Sequence, residues 1–357
     1  MKKEENDILM EKIISLSKRR GFIYQGSEIY GGLAGTWDYG PLGVTLKNNI
    51  KSSWWKKFVE SREDMYGIDA AILMNQQVWK ASMHVDTFTD PLVECTKCHR
   101  RFRADALREP GLCDVCGSKV GEPKSFNMMF KTQIGALEDS SATAYLRPET
   151  AQGIFVNFKN IVDSFHPKLS FGIAQIGKAF RNEITPRDFI FRVREFEQME
   201  IEYFIKPSDW EKYFDYWKDE TMEWIDEIGL NDGKIHLVEI DQDSLAHYSK
   251  RTVDVEFEFP FGQKELFGLA YRTDFDLKRH NLFYLDEETK EKIIPHVIEP
   301  SFGLERIILA LLLSNYKEDE QGKEGRAYLS FKPSIAPVIC AVSPLLKNKP
   351  ELREQAH

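Results

Sequence analysis

A glycine-bearing turn that delivers an arginine onto an apolar helix restricts the fold of this chain more than any other feature. Glu299-Pro300-Ser301-Phe302-Gly303-Leu304-Glu305-Arg306 runs straight into the apolar segment Ile307 to Leu313. The pattern reads as a strand, a turn and a buried helix with Arg306 in its first turn. Far upstream, Phe180-Arg181-Asn182-Glu183 is followed nine residues after Glu183 by Arg192, and then by Phe196. These residues put two arginines, a carboxylate and an aromatic ring on two strands expected to face each other. Arginine clamps phosphate in bidentate fashion, glutamate accepts from an adenine amino group, and a phenyl ring covers a purine face, so the set suits ATP. Taken alone, an F-R-x-E word is more often a charged, half-exposed hairpin.

Four of the five cysteines fall as Cys95-x-x-Cys98 and Cys113-x-x-Cys116, with Cys340 apart. Two such pairs can bring four thiolates around one tetrahedral zinc. Two disulfides or four free thiols are the alternatives, and a reducing cytoplasm disfavours the disulfides. Four protein ligands leave no open position, so the zinc is expected to be structural and remote from the chemistry. Lys97, Arg100, Arg101, Arg103, Arg108 and Lys119 surround the pairs and make a basic face suited to RNA phosphates or to solvent.

At 357 residues, with 42% hydrophobic side chains, the chain can fill one large core or two ordinary ones. No apolar run is long enough to span a bilayer, and Met1 to Asn6 lacks the apolar stretch of a signal peptide, so a cytoplasmic protein without a membrane partner is expected. The net charge of -9 excludes a generally basic surface, so any RNA would be met by a local patch. The glycines at 31, 32, 35, 40 and 43 mark loops, but there is neither a G-x-x-x-x-G-K-[ST] nor a G-x-G-x-x-G word.

Helical spacing covers Asp7 to Arg20, ended by Gly21, and Val44 to Val59, with Leu46, Ile50, Trp54 and Phe58 on one face. Ser208 to Ile228 is a third helix. Lys168 to Phe180, Val193 to Phe204 and Arg251 to Phe259 read as strands. Long antiparallel segments closed by helices make an α+β domain, expected over 1–330, with a zinc-binding insertion over 93–124. His84, His247, His280 and His296 stand in no Ser/His/Asp or Cys/His arrangement and are read as structural.

The segments around Arg181 and Arg306 resemble the second and third signature motifs of class II aminoacyl-tRNA synthetases. The words Arg147-Pro148-Glu149-Thr150-Ala151-Gln152-Gly153, Phe126-Asn127-Met128-Met129-Phe130, Arg192-Val193-Arg194-Glu195-Phe196 and Pro295-His296-Val297-Ile298-Glu299 narrow the resemblance to the dimeric type of glycyl-tRNA synthetase. It runs from about Gly21 to the last residues. The resemblance implies that glycine and ATP form glycyl-adenylate, that glycine passes to the 3' end of tRNA(Gly), and that the helix from Val44 helps build a homodimer. It assigns ATP to Arg181, Asn182, Glu183, Phe191, Arg192, Val193, Phe196, Glu265, Leu266, Gly303 and Arg306, with Mg2+ near Glu265. Arg181, Glu183, Arg192 and Arg306 are the implied catalytic set. It assigns glycine to Arg103, Glu149, Gln198, Glu200, Glu299 and Ser301. Gln198 and Glu200 follow Phe196 at period two, so one strand face would carry all three.

Several positions depart from the family pattern. Gln76 stands where proline is usual, Met83 where glycine is usual, and Ser170 where proline is usual; Met83 is expected to crowd the pocket or the loop beside it. Residues 331–357 are expected to begin an α/β anticodon-binding domain that the chain does not complete, Pro333 to Pro344 being its first strand. Two other functions fit the same residues: a paralogue that adenylates a small acid for an acceptor other than tRNA, and a non-catalytic regulator that keeps the fold.

Overall fold

The computed structural model describes residues 2–136, 142–230, 233–319 and 325–356. Seven strands form the main sheet: β1 (Met65–Ile68), β2 (Phe171–Phe180), β3 (Glu195–Ile205), β4 (Ile235–Glu239), β5 (Arg251–Phe259), β6 (Gly262–Thr273) and β7 (His296–Gly303). Their order is β4-β5-β6-β7-β3-β2-β1, antiparallel throughout except for the parallel edge pair β2 and β1. The strand expected from Lys168 begins at Phe171, and the Leu169–Ser170 peptide before it is cis.

Alternation along these strands divides the molecule into a core side and a cleft side. On β7, Phe302 is buried among Trp54, Phe58, Trp224 and Phe267, with ring centroids 4.6–6.0 Å away, while its neighbour Ser301 faces the other side. On β3, Met199 and Ile201 enter the same core. Burying each such side chain contributes roughly 1.5–3 kcal/mol.

Three helices close that face. Helix α1 (Pro41–Trp55) starts earlier than expected because Pro41 is pre-set for the first helical position, and it continues as a π-helical turn, Lys56–Glu60, that carries Phe58 into the core. Helix α2 (Trp210–Ile228) contributes Phe214, Trp217 and Trp224 and ends at Gly229, whose φ of 91 suits a left-handed stop. Helix α3 (Leu304–Asn315) is buried on nearly every side, as its unbroken apolar run demands. The N-terminal helix runs Lys2–Arg19. On the opposite face, the helix Ala151–Phe165 packs Ile154, Phe155 and Phe158 against Phe171, Ile173 and Phe204, leaving the middle of the sheet open.

One expectation changes, and one departure from the family pattern is explained. Pro333 to Pro344 forms no strand: its backbone carbonyls at Ile335 and Ala336 accept from the Asn49 side chain (3.2 and 3.1 Å), and Ile335 alone is buried, so no neighbouring strand offers the ladder that a strand requires. A short helix, Pro350–Ala356, follows. Gln76 opens the helix Gln76–Ala81 behind the cap Asn75, a position where an N–H lacks an intrahelical partner anyway, so exchange of proline for glutamine there is mild.

Candidate active site

The open middle of the sheet forms the floor of a cleft of about 590 Å³. Strand pairing places Glu200 of β3 opposite Ser301 of β7, and Ser301 opposite Gly268 of β6. Gly268 and Gly303, which line the cleft, have no side chains to fill this floor. Every residue assigned above to ATP or glycine lines the cleft except Asn182, whose backbone N–H donates to the Met128 carbonyl at 2.7 Å.

One half is rich in arginine. The Arg181 guanidinium lies 5.2 Å from the Phe196 ring and 5.4 Å from that of Phe88, and its Nε donates to the Pro148 carbonyl at 3.1 Å. Arg192 reaches Glu183 at 3.5 Å. Arg306 lies 4.5 Å from the Phe191 ring and donates to the Glu265 carboxylate at 2.8 Å. Partial loss of water works to raise the Glu265 carboxyl, although 47% of its side chain stays exposed, and the Arg306 charge and hydrogen bond, with Arg181 and Arg192 beyond, hold it below the usual range. Across the strand pair, burial and then the Glu265 charge push Asp254 up to about 7.

The other half is anionic and closed. The Thr150 hydroxyl donates to Glu200, as does Ser301 Oγ at 2.7 Å, and Gln198 Oε1 accepts from the Thr150 backbone at 3.1 Å. Glu149 meets His84 Nε2 at 3.2 Å and Gln152 at 3.2 Å. Burial would raise the Glu149 carboxyl, but the charge His84 carries when protonated prevails and holds it well below the carboxylate range. Glu299 takes a 2.7 Å ion pair from Arg272, which is itself fixed by Asp276 at 2.8 Å. Burial and then the charge of Glu149 push the Glu200 carboxyl up. Three carboxylates, Glu149, Glu200 and Glu299, line this end of the cleft beside the buried Arg272 and leave a site that favours a small cation.

Sequence reasoning missed Arg272, Thr150 and Glu202, and His84 was read as structural although it pairs with Glu149. Glu202 was within reach, because it continues the period-two run of Gln198 and Glu200. Arg272 had no local signal. Met83 does not line the cleft; of the two expected places for its cost, the pocket or the loop beside it, the loop bears it, where Met83 holds φ 68.

The four cysteine sulfurs lie within 4.8 Å of one another, with Cys95 to Cys116 at 3.5 Å and Cys98 to Cys113 at 3.6 Å. These separations are far longer than an S–S bond of about 2.05 Å. They approach the edge of about 3.8 Å that four Zn–S bonds of ~2.3 Å impose on a tetrahedron. The two knuckles repeat one another: Cys95 N–H bonds Arg100 O and Cys113 N–H bonds Ser118 O, both at 2.8 Å, and His99 and Gly117 hold matching left-handed positions. The donor set fits zinc. The module is not remote from the cleft, because Arg103, on the strand Arg101–Arg103 just after Cys98, lines it and pairs with Asp90 at 2.9 Å.

Residues 130–316 match the family model described as the tRNA synthetase class II core domain (G, H, P, S and T). A glycine–tRNA ligase of Caldanaerobacter subterraneus subsp. tengcongensis is 49% identical over 375 residues, covering 96% of this chain and 81% of its own length. A glycine–tRNA ligase of Treponema denticola is 49% identical over 361 residues, covering 97% and 80%. Among solved structures, the prolyl-tRNA synthetase of Giardia lamblia in complex with prolyl-adenylate superposes with a TM-score of 0.69 at 15% identity, covering 99% of this chain and 60% of that chain, which is a likeness of fold. On these matches, the chain belongs to the glycine–tRNA ligase family of class II tRNA synthetases.

Proposed function

We propose that this chain activates glycine with ATP and transfers it to the 3' end of tRNA(Gly). The observation that carries the reading is the continuity of one cleft from the arginines that suit phosphate to an anionic end where Glu200 and Glu299 are buried and Glu200 faces Ser301 across neighbouring strands. In the first step a glycine carboxylate oxygen bonds to the α-phosphorus of ATP while the bond to pyrophosphate breaks. Arg181 holds the α-phosphate and the carboxylate, Arg192 and Arg306 hold the γ-phosphate side, Glu183 accepts from the adenine amino group and Phe196 covers the ring. Glu149, Glu200 and Glu299 hold the ammonium. In the second step a terminal ribose hydroxyl of tRNA takes the glycyl group and AMP leaves. No protein nucleophile is required.

Mg2+ would be held by Glu265 together with the phosphates, and would neutralise their developing charge. Zinc would be held by Cys95, Cys98, Cys113 and Cys116, and would lock the two knuckles together. A cytoplasmic location suits four reduced thiols. A homodimer rests on the resemblance of α1 to the first class II motif; Val44, Ile29 and Tyr30 are exposed apolar side chains near the N-terminal end of the chain, and light scattering should give twice the chain mass. No helix among the described residues is long and apolar enough to cross a membrane.

The test is exchange of labelled pyrophosphate into ATP. Exchange should depend on glycine and be lost in Arg181→Ala. Glycine-independent exchange, or exchange with glycine that survives Arg181→Ala, would contradict the reading. Charging of tRNA(Gly), measured on the same protein, separates it from a paralogue with another acceptor.

A further inference from the structure

Beneath the anionic end of the cleft the sheet holds a carboxylate that nothing neutralises. Glu202 follows Glu200 at period two on β3, yet it is 0% exposed and does not line the cleft. Neither of its carboxylate oxygens has a hydrogen-bond partner among the described residues. One oxygen each of Glu200, Glu202 and Glu299 lie within 4.8 Å of one another. The charged groups facing Glu202 are Glu299 on β7, Arg272 on β6, Glu200 on its own strand and Asp276 on the helix Phe275–Arg279. Arg272, the cation among them, is already bonded to Asp276 and Glu299. Glu200 already accepts the Thr150 and Ser301 hydroxyls, whereas the one side-chain donor to Glu299 is Arg272. An ionised carboxylate buried beside two others, with no donor or free cation, is far less stable than a neutral acid with an acceptor at hand.

We propose that Glu202 carries a proton in the folded protein and, as a neutral acid, donates it in a hydrogen bond to the Glu299 carboxylate, fixing that carboxylate toward the ammonium end of the cleft. Burial, and then the charge of Glu299, drives the Glu202 carboxyl well above its ordinary range; burial also pushes Glu299 up, to about 8, but Arg272 opposes that shift through a 2.7 Å ion pair that Glu202 lacks, so of the two it is Glu202 that keeps the proton. Glu202 is thus a positioning residue beneath the substrate contacts. The positioning role rests on the proposed binding of glycine; the proton does not.

Two readouts separate these parts. A group that keeps its proton on folding costs stability as pH rises above the ordinary glutamate value of about 4.3, until the folded group ionises. Glu202→Gln keeps a neutral donor and has no such cost. Its melting temperature should therefore gain on that of the unchanged protein between about pH 5 and about pH 8, ending higher by at least about 2–4 °C. In steady-state exchange, Glu202→Gln should raise KM for glycine less than about threefold and Glu202→Leu more than about tenfold, both with KM for ATP within about twofold. A Gln variant that melts below the unchanged protein at the higher pH overturns the proton. A Gln variant whose KM for glycine rises as far as that of Leu overturns the positioning, and if the Leu variant does not fold, a rise above about tenfold in Gln does so. If the unchanged protein shows no glycine-dependent exchange, the functional reading fails while the melting comparison still reads the proton.

Discussion

Met83 holds φ 68 at the start of the short helix His84–Thr87, a conformation that costs an L side chain about 1–2 kcal/mol. Glycine removes that cost but gives back about 0.4–1 kcal/mol through the freer unfolded chain. Met83→Gly should therefore stabilise the protein by about 0.5–1 kcal/mol in thermal or urea unfolding. Because Met83 lies outside the cleft wall, KM for glycine should stay the same. The two halves of the cleft should also separate by residue. Glu299→Ala removes the carboxylate that Arg272 orients and should raise KM for glycine more than KM for ATP, by roughly tenfold or more, as loss of one charged contact implies. Arg306→Ala should show the reverse, since it frees Glu265 and removes a cation from the phosphate side. Equal effects of both variants on both substrates would argue against a divided cleft.

At the scale of elements, the strand and turn that deliver Arg306 depend on Phe302, which is wholly buried and touches four aromatic rings. Phe302→Ala should cost about 3–5 kcal/mol of stability, by cavity formation. These elements were legible because period two and period 3.6 are local properties: Gln198 and Glu200 were placed on one face, and the helix after Gly303 was placed in the core. The C-terminal segment was misread for the complementary reason, since the β-like run at Pro333 to Pro344 becomes a strand only where another strand offers hydrogen bonds. The zinc module was legible from cysteine spacing, but its reach into the cleft was not. Arg103 ties the two together. Metal analysis should give close to one zinc per chain, and Cys113→Ser or chelation should loosen the module and raise KM for glycine through Arg103. A metal content near zero with four titratable thiols would contradict this.

Across the whole molecule, the nucleotide half of the site could be read from two motifs, because its residues cluster in short words. The anionic half could be read only in part. Arg272 and His84 act through Glu299 and Glu149, far away in the chain, and spacing along the sequence carries no record of such contacts; Glu202 was signalled only by its period-two place after Gln198 and Glu200. The fold joins them by pairing β6, β7 and β3 side by side under the cleft. A site that grips an ammonium among Glu149, Glu200 and Glu299 should accept the one amino acid without a side chain. An ordinary apolar pocket discriminates one methyl group by only about 1–3 kcal/mol, so stronger rejection needs a rigid wall. Pyrophosphate exchange with glycine and with alanine, on the same preparation, tests this most directly. Glycine should support exchange at least about a thousandfold better in kcat/KM, beyond what lost attraction alone supplies. Comparable rates with the two amino acids would contradict the account of the pocket.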